Sequence, residues 1–264
     1  MLSSPCNSDA QTDNAALAAQ PLARPLAPEL SVVILCYKAG TGVIDFIERM
    51  KLALDKATIS WELVLVGNYN KGDSGDPTPD VVRSLAAKDP RIVAVTLEKQ
   101  GWMGWDARTG LARATGKAIA IIDGDNQMPP EDVERVYLAL KDAEVDMVTT
   151  FRQRREDGFF RLYQSLIYNF VFRLLFPGIG VRDVNSKPKI MRRELYDKLH
   201  LTSEDWFLDA EIIIQVRRHK ARLIQIPTVF RHSEARCSLV RLSAIWEFLV
   251  NLVRTRFWEF FIRP

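Results

Sequence analysis

Four short runs of β-branched and aliphatic residues, LSVVILCY from Leu30, WELVLV from Trp61, IVAVTL from Ile92 and AIAIID from Ala118, recur with helix-period segments between them. A strand that is apolar on both faces must be covered on both faces, which is the situation of a parallel strand inside an α/β sheet. The intervening segments supply the cover. Val43, Ile44, Ile47, Met50, Leu52 and Leu54 return at roughly helical spacing, Thr78 and Pro79 read as the N-cap and first residue of a second helix, and Trp105 to Thr115 read as a third helix closed by Gly116. The expected fold is therefore α/β, with a mostly parallel central sheet and helices on both of its faces.

After Pro129 and Pro130 the spacing predicts a helix to about Asp142 and a strand near Met147 to Thr150. The character then changes. Phe151 to Arg161 is basic and aromatic, and Phe159 to Phe176 reads as an amphipathic helix with Leu162, Leu166, Ile167, Phe170, Val171 and Leu174 on one side. A short strand near Lys189, a helix over Asp209 to Arg218 and the strand RLIQIPTVF follow. Residues 1–28, rich in Ala, Pro, Ser and Asn without a period, are expected to be a disordered leader. Residues 29–238 form the main domain and 239–264 an amphipathic C-terminal helix with Trp246, Phe248, Leu249, Leu252, Phe257, Trp258, Phe260 and Phe261 flanked by arginines, suited to a membrane interface or to protein packing.

Composition narrows the functional classes. An apolar fraction of 47% over 264 residues supports a sizeable core, and 36 Lys and Arg against 33 Asp and Glu make no case for a nucleic-acid partner. Three cysteines without short spacing argue against a disulfide framework or a zinc site and suit a reducing, cytoplasmic compartment. The N-terminus lacks the pattern of a signal peptide, and the most apolar stretches are broken by Arg173 or Glu247 short of the roughly 20 residues a membrane span needs.

The fourth apolar run ends in Asp123 and Asp125. Two carboxylates one residue apart at the tip of a buried strand repel unless a cation joins them, and hard oxygen ligands beside a phosphate-bearing substrate are how Mg²⁺ or Mn²⁺ is held. Ligands of open α/β sheets bind beyond the carboxyl ends of the strands, where this pair stands. No GxGxxG follows the first strand and no GxxxxGK[ST] occurs, so dinucleotide and P-loop readings lose their support.

The order SVVILCY, ELVLVGNY, GWDARTGLARATG and IAIIDGDNQMPPEDV resembles a family 2 glycosyltransferase of the dolichyl-phosphate mannose synthase type, over roughly Leu30 to Leu242. Its most specific part is Asp-x-Asp-x-Gln-x-Pro-Pro-Glu. The resemblance implies a GT-A fold and inverting transfer of a hexose from a nucleoside-diphosphate sugar to a polyprenyl phosphate, by a protein held peripherally at the inner face of the membrane. It implies that Asp123, Asp125 and Gln127 hold the metal, with Asp125 at the chemistry. Tyr37, Asn68, Gly104 and Arg108 fall at donor-binding positions, with Asp106 orienting Arg108 or capping its helix. Arg152, Arg161, Ser165, Lys187 and Arg236 fall at acceptor-binding positions.

The chain also departs from that pattern. Gly67, Asn68 and Tyr69 stand where two aspartates are usual, with Asp73 or Asp76 as substitutes nearby, and Lys187 in DVNSKPKI replaces a glycine. SEDWFLDAE admits two registers: Glu204 and Asp205 as a pair supplying a general base, or Asp209 and Glu211 as the mannose synthase-like pair. A phosphate acceptor needs no general base, so Asp205 as a catalytic residue goes with the alternative of transfer to a sugar hydroxyl of a glycan. A non-catalytic nucleotide-sugar binding protein is the further alternative.

Overall fold

A computed structural model of the chain describes residues 27–155, 159–178, 180–231 and 242–261. The expected leader lies outside them except for its last two residues. Seven strands form one sheet: β1 (Leu30–Leu35), β2 (Trp61–Val66), β3 (Ile92–Val95), β4 (Ala118–Asp123), β5 (Met147–Arg155), β6 (Lys189–Arg192) and β7 (Leu223–Phe230). Their order is β3-β2-β1-β4-β6-β5-β7, and only β6 runs against its neighbours. The chain builds outward from β1 to β3 and then returns to place β4 on the other side of β1. Strand order therefore reverses between β1 and β4.

Alternate residues of each central strand face opposite sides, so the doubly apolar runs feed two cores. Val33, Leu35, Val64, Val66, Ile119 and Ile121 pack on one face beneath α3 (Met103–Leu111), α5 (Phe159–Leu175) and α7 (Leu208–Arg218). Val32, Ile34, Leu63, Leu65, Ala120 and Ile122 pack on the other, against α1 (Gly42–Lys56), α2 (Thr78–Lys88) and α4 (Asp132–Asp142). Each fully buried Val, Leu or Ile contributes roughly 1.5–3 kcal/mol by leaving water. The short α6 (Arg193–Tyr196) closes β6, and α8 (Leu242–Phe261) ends the described chain.

Several boundaries differ from expectation for local reasons. Thr78 is the first residue of α2 rather than its cap, because the Asp76 carboxylate accepts both the Thr78 N–H (3.0 Å) and its hydroxyl (2.5 Å). The third helix stops at Leu111, four residues before the expected end. Gly116 does not cap it; a Cβ there would lie 2.6 Å from the Ser31 nitrogen, so glycine is required by close approach to β1.

The largest difference concerns α5. Leu166, Ile167, Phe170 and Leu174, expected along the apolar side, are exposed, at 56%, 43%, 62% and 69%. The core takes Tyr168, Phe172 and Phe176 instead. Both faces of this helix are apolar, so its period alone does not say which one the sheet covers.

α8 joins the core beside α5 and α7. The Tyr168 and Phe248 rings pack at a 59° tilt with centroids 5.3 Å apart, and Leu252 is fully buried. Glu259, 7% exposed, accepts from Arg218 (2.7 Å), Arg256 (2.9 Å) and Arg217 (3.4 Å). Burial works against its charge, but the guanidinium groups outweigh it and hold the carboxyl below its ordinary 4.5. A depressed carboxyl stabilises above the unfolded value and loses that contribution as pH falls through the folded one. Wild type is therefore expected to exceed Glu259→Gln by about 1–2 kcal/mol in urea unfolding at neutral pH, after solvent screening. The difference should close as pH falls below 4.5.

Candidate active site

The crevice where strand order reverses lies outside the carboxyl ends of β1 and β4. Asp123 is the last residue of β4, opposite Leu35 of β1, and the Gly124 N–H continues the ladder to the Leu35 carbonyl at 2.9 Å. The chain then turns sharply. Asp125 accepts the Gln127 N–H at 3.1 Å, Asn126 takes a left-handed φ of 61°, and the Gln127 carbonyl accepts the Arg231 N–H at 2.8 Å. α4 begins only at Asp132, so neither Asp123 nor Asp125 caps it.

Beside this tip sits a buried set of alternating charges. Lys187 places its ammonium 3.1 Å from Asp123 Oδ2 and 3.1 Å from Asp209 Oδ2, while Lys189 bonds Asp209 Oδ1 at 2.6 Å and the Ser186 carbonyl at 2.8 Å. Lys187, Lys189 and Asp209 are all at most 4% exposed. Burial penalises the Asp209 carboxylate, yet the two ammonium groups outweigh that and hold its carboxyl below the ordinary range. Lys187 also suffers desolvation, and Asp123 and Asp209 reverse it, raising the amine above its usual value. Lys187, expected at the acceptor phosphate, is thus committed to the aspartate side of the site. Lys189 escaped sequence reasoning, although Lys187-x-Lys189 leading into a strand mirrors the Asp-x-Asp leaving one.

The residues expected at the donor make the following contacts within the protein. Tyr37 is half-buried past the end of β1, with the Lys99 ammonium 4.4 Å from its ring centroid and its hydroxyl accepting from Asn70 at 2.8 Å. Asn68 is wholly buried. Its oxygen accepts the Leu97 N–H at 2.8 Å, and its amide donates to Asp106 (2.9 Å) and Thr109 (3.1 Å), so it fastens strand ends to α3 rather than presenting an edge to a base. Asp106 pairs with Lys99, not Arg108, and burial pushes its carboxyl up against the opposing effect of Lys99 and Asn68.

Gly104, expected at the donor, packs against the 203–205 segment. A Cβ there would meet the Asp205 carbonyl at 2.5 Å and the Ser203 carbonyl at 2.6 Å, so close approach to this loop requires glycine. The same loop satisfies the opening N–H groups of α3, with Gly104 donating to the Asp205 carbonyl at 3.0 Å and Trp105 to that of Glu204 at 3.1 Å. Arg108 reaches the Thr202 carbonyl (3.0 Å) and lies 3.6 Å from Glu204.

Among the residues expected at the acceptor, Arg152 forms a two-pronged bond with Asp183, Nε at 2.6 Å and Nη2 at 2.9 Å. Ser165 is tied through Asn169, whose amide donates to the Ser165 hydroxyl (3.2 Å) and whose oxygen accepts the Val184 N–H (3.0 Å). Among the described residues the buried Tyr168 hydroxyl has no hydrogen-bond partner, and burial together with the charges of Asp209, Asp205 and Asp183 pushes its pKa up. The side chain of Arg161, in the first turns of α5, and the whole of Arg236 lie outside what the structure describes.

Asp205 and Asp209 separate the two registers in space. Asp209 belongs to the buried charge set. Asp205 accepts from the Phe207 N–H (2.8 Å) and from Asn251 of α8 (3.1 Å), and it lines a cavity of about 420 Å³ between the 202–207 loop, α7 and α8. Glu211 holds the same loop through the Thr202 and Ser203 N–H groups.

The residues at the β4 tip suit a divalent metal. Asp123, Asp125 and Gln127 offer two carboxylates and an amide, the hard oxygen donors Mg²⁺ and Mn²⁺ take.

Residues 31–200 match the model of Glycosyl transferase family 2. The chain belongs to that family. An undecaprenyl-phosphate 4-deoxy-4-formamido-L-arabinose transferase from Salmonella choleraesuis is 27% identical to this family 2 glycosyltransferase over 171 residues, 65% of the chain and 51% of the relative. One of the same name from Sodalis glossinidius is 26% identical over 232 residues, 86% of the chain and 68% of the relative. The chain thus spans about half to two thirds of these relatives' length. Among solved structures, glucosyl-3-phosphoglycerate synthase from Mycobacterium tuberculosis, in complex with Mn²⁺, UDP and glucosyl-3-phosphoglycerate, superposes with a TM-score of 0.65 at 19% identity, covering 87% of this chain and 80% of that one. That likeness shows the GT-A fold expected from the sequence.

Proposed function

We propose that this family 2 glycosyltransferase moves a sugar from a nucleoside-diphosphate donor to a polyprenyl phosphate at a membrane surface, using Mg²⁺ or Mn²⁺ at Asp123, Asp125 and Gln127. The observation that carries the reading is the placement of Asp123 and Asp125 at the strand-order reversal, with a buried lysine on Asp123. Breaking an anomeric C–O bond leaves growing negative charge on the departing diphosphate, which a divalent ion supplies the Lewis acid to stabilise. The chain's own part is to hold that charge in place: the Asp125 turn positions the clamp, and Asn68 and Asp106 brace the neighbouring strand ends. The acceptor phosphate would meet the region of Arg152 and Ser165, where Asp183 holds the Arg152 guanidinium and Asn169 holds the Ser165 hydroxyl.

The lipid acceptor is supported by the names of the relatives and by a surface feature. Leu166, Phe170 and Leu174 of α5 and Val253, Phe257, Trp258 and Phe261 of α8 are exposed on helices that pack together, with Arg173 and Arg254 also exposed. No helix among the described residues is long and apolar enough to cross a membrane. Such a face suits burial at the headgroup boundary, with arginines toward anionic lipid. The sugar reads as a hexose from the resemblance, whereas the relatives' names specify a formamido-arabinose, so both classes belong in the donor panel.

The test is a radiolabelled nucleotide-sugar panel offered with a polyprenyl phosphate in anionic vesicles and, separately, with a soluble glycan. Label is expected in the solvent-extractable lipid with Mn²⁺ and not with EDTA. The cavity beside Asp205 favours the second reading, transfer to a glycan hydroxyl with Asp205 as base; label only in the glycan, lost in Asp205→Asn, would establish that instead. No transfer or release under any condition would leave a nucleotide-sugar binding protein. Substituting Phe170, Leu174, Phe257 and Phe261 together by Ser is expected to abolish co-sedimentation with vesicles.

A further inference from the structure

Lys187 differs from a surface lysine that drifts over a carboxylate. It is 4% exposed, and its ammonium is fixed at 3.1 Å from each of two carboxylates on different elements, Asp123 at the end of β4 and Asp209 in the first turn of α7. Its backbone is fixed as well. The Lys187 carbonyl accepts the Thr150 hydroxyl at 2.7 Å, Thr150 and Ser186 hydroxyls lie 2.6 Å apart, and Lys189 bonds the Ser186 carbonyl at 2.8 Å. Lys189 supplies Asp209 with a second cation, so Lys187 is not needed merely to neutralise that carboxylate. A positive charge has been built onto Asp123, at the position where the resembling pattern carries a glycine.

We propose that Lys187 is a resident cation of the diphosphate site, sharing Asp123 with the divalent metal: it weakens metal binding before the donor arrives and carries part of the diphosphate charge afterwards. The inference rests on the reading of Asp123 and Asp125 as the diphosphate clamp. An ammonium and a divalent ion on one carboxylate repel at short range in a partly desolvated site, so the lysine opposes metal alone. A diphosphate reverses the sign of the balance, because it attracts both cations. Metal is thereby disfavoured on the donor-free protein and accepted with the diphosphate, and a diphosphate retains affinity when no metal is present. Lys187 is a positioning and charge-carrying residue in this scheme, and no bond to it forms or breaks.

The test uses two probes on the whole chain: Mn²⁺ alone, followed by electron paramagnetic resonance, and inorganic pyrophosphate in EDTA, followed by calorimetry. Lys187→Gln and Lys187→Gly are each expected to bind Mn²⁺ about tenfold more tightly than wild type and metal-free pyrophosphate about tenfold more weakly. Opposite signs exclude a general loss of structure, which would weaken both. Unchanged or weaker Mn²⁺ binding in a folded variant overturns the proposal. Should neither variant fold, wild type decides: pyrophosphate binding in EDTA within about tenfold of that with Mn²⁺ supports it, and none in EDTA beside tight binding with Mn²⁺ overturns it. If wild type binds neither probe under any condition, the clamp reading itself fails, which is a separate result.

Discussion

Asp125→Asn is expected to lower sugar transfer by about a thousandfold with the fold intact, the scale of losing one preorganised stabiliser of developing negative charge. Asparagine keeps an oxygen to accept the Gln127 N–H, so the turn that Asp125 closes survives. What disappears is a unit of negative charge, and with it the hold on a divalent ion. Asp123→Asn would in addition release Lys187. Single-turnover transfer at saturating Mn²⁺, beside a melting temperature within about 2–4 °C of wild type, is the measurement. Transfer at the wild-type rate would remove the clamp from the mechanism.

Asp209→Asn should show its largest effect in stability, a loss of about 3–5 kcal/mol at neutral pH, as expected when one partner of a buried ion pair is removed. Lys187 keeps Asp123, but Lys189, fully buried, keeps only the Ser186 carbonyl among its described bonds. Burial already pulls the Lys189 amine down, with Asp209 opposing, and the substitution removes the opposition. A lysine whose folded pKa lies below its unfolded value binds fewer protons when folded, so stability rises with pH in that window. The variant should therefore recover by up to about 1.4 kcal/mol per pH unit as pH climbs toward the ordinary lysine value near 10.4. Urea unfolding at pH 7 and at about pH 9.5 checks both magnitude and sign. A folded variant with wild-type stability at both pH values would mean that water or rearrangement compensates Lys189.

Much of the sheet could be read directly. β1, β2 and β4 carry no polar face, and that pattern is itself the mark of a strand covered on both sides; the helices between them followed from helical spacing and cap residues. Asp123 and Asp125 were legible because a carboxylate pair at the end of such a strand contradicts its own local environment. The protein contacts of Asn68 and Gly104 were not legible, for a shared reason. An amide or a missing Cβ says that something comes close, and only the fold says whether that neighbour is a ligand, the Leu97 N–H or the Ser203 and Asp205 carbonyls.

By itself the sequence determined the α/β alternation, the buried strands and the acidic tip of β4, because these depend on side-chain period and on residues adjacent in the chain. Tertiary structure decided the rest of the site. Inserting β6 antiparallel between β4 and β5 brings Lys187 to Asp123 across 64 positions, and the seating of α7 adds Asp209 between the two lysines. It also chose which apolar face of α5 meets the core. Period records that a face is apolar, and charge records that a partner is needed; neither records which distant segment arrives to cover the one or pair with the other.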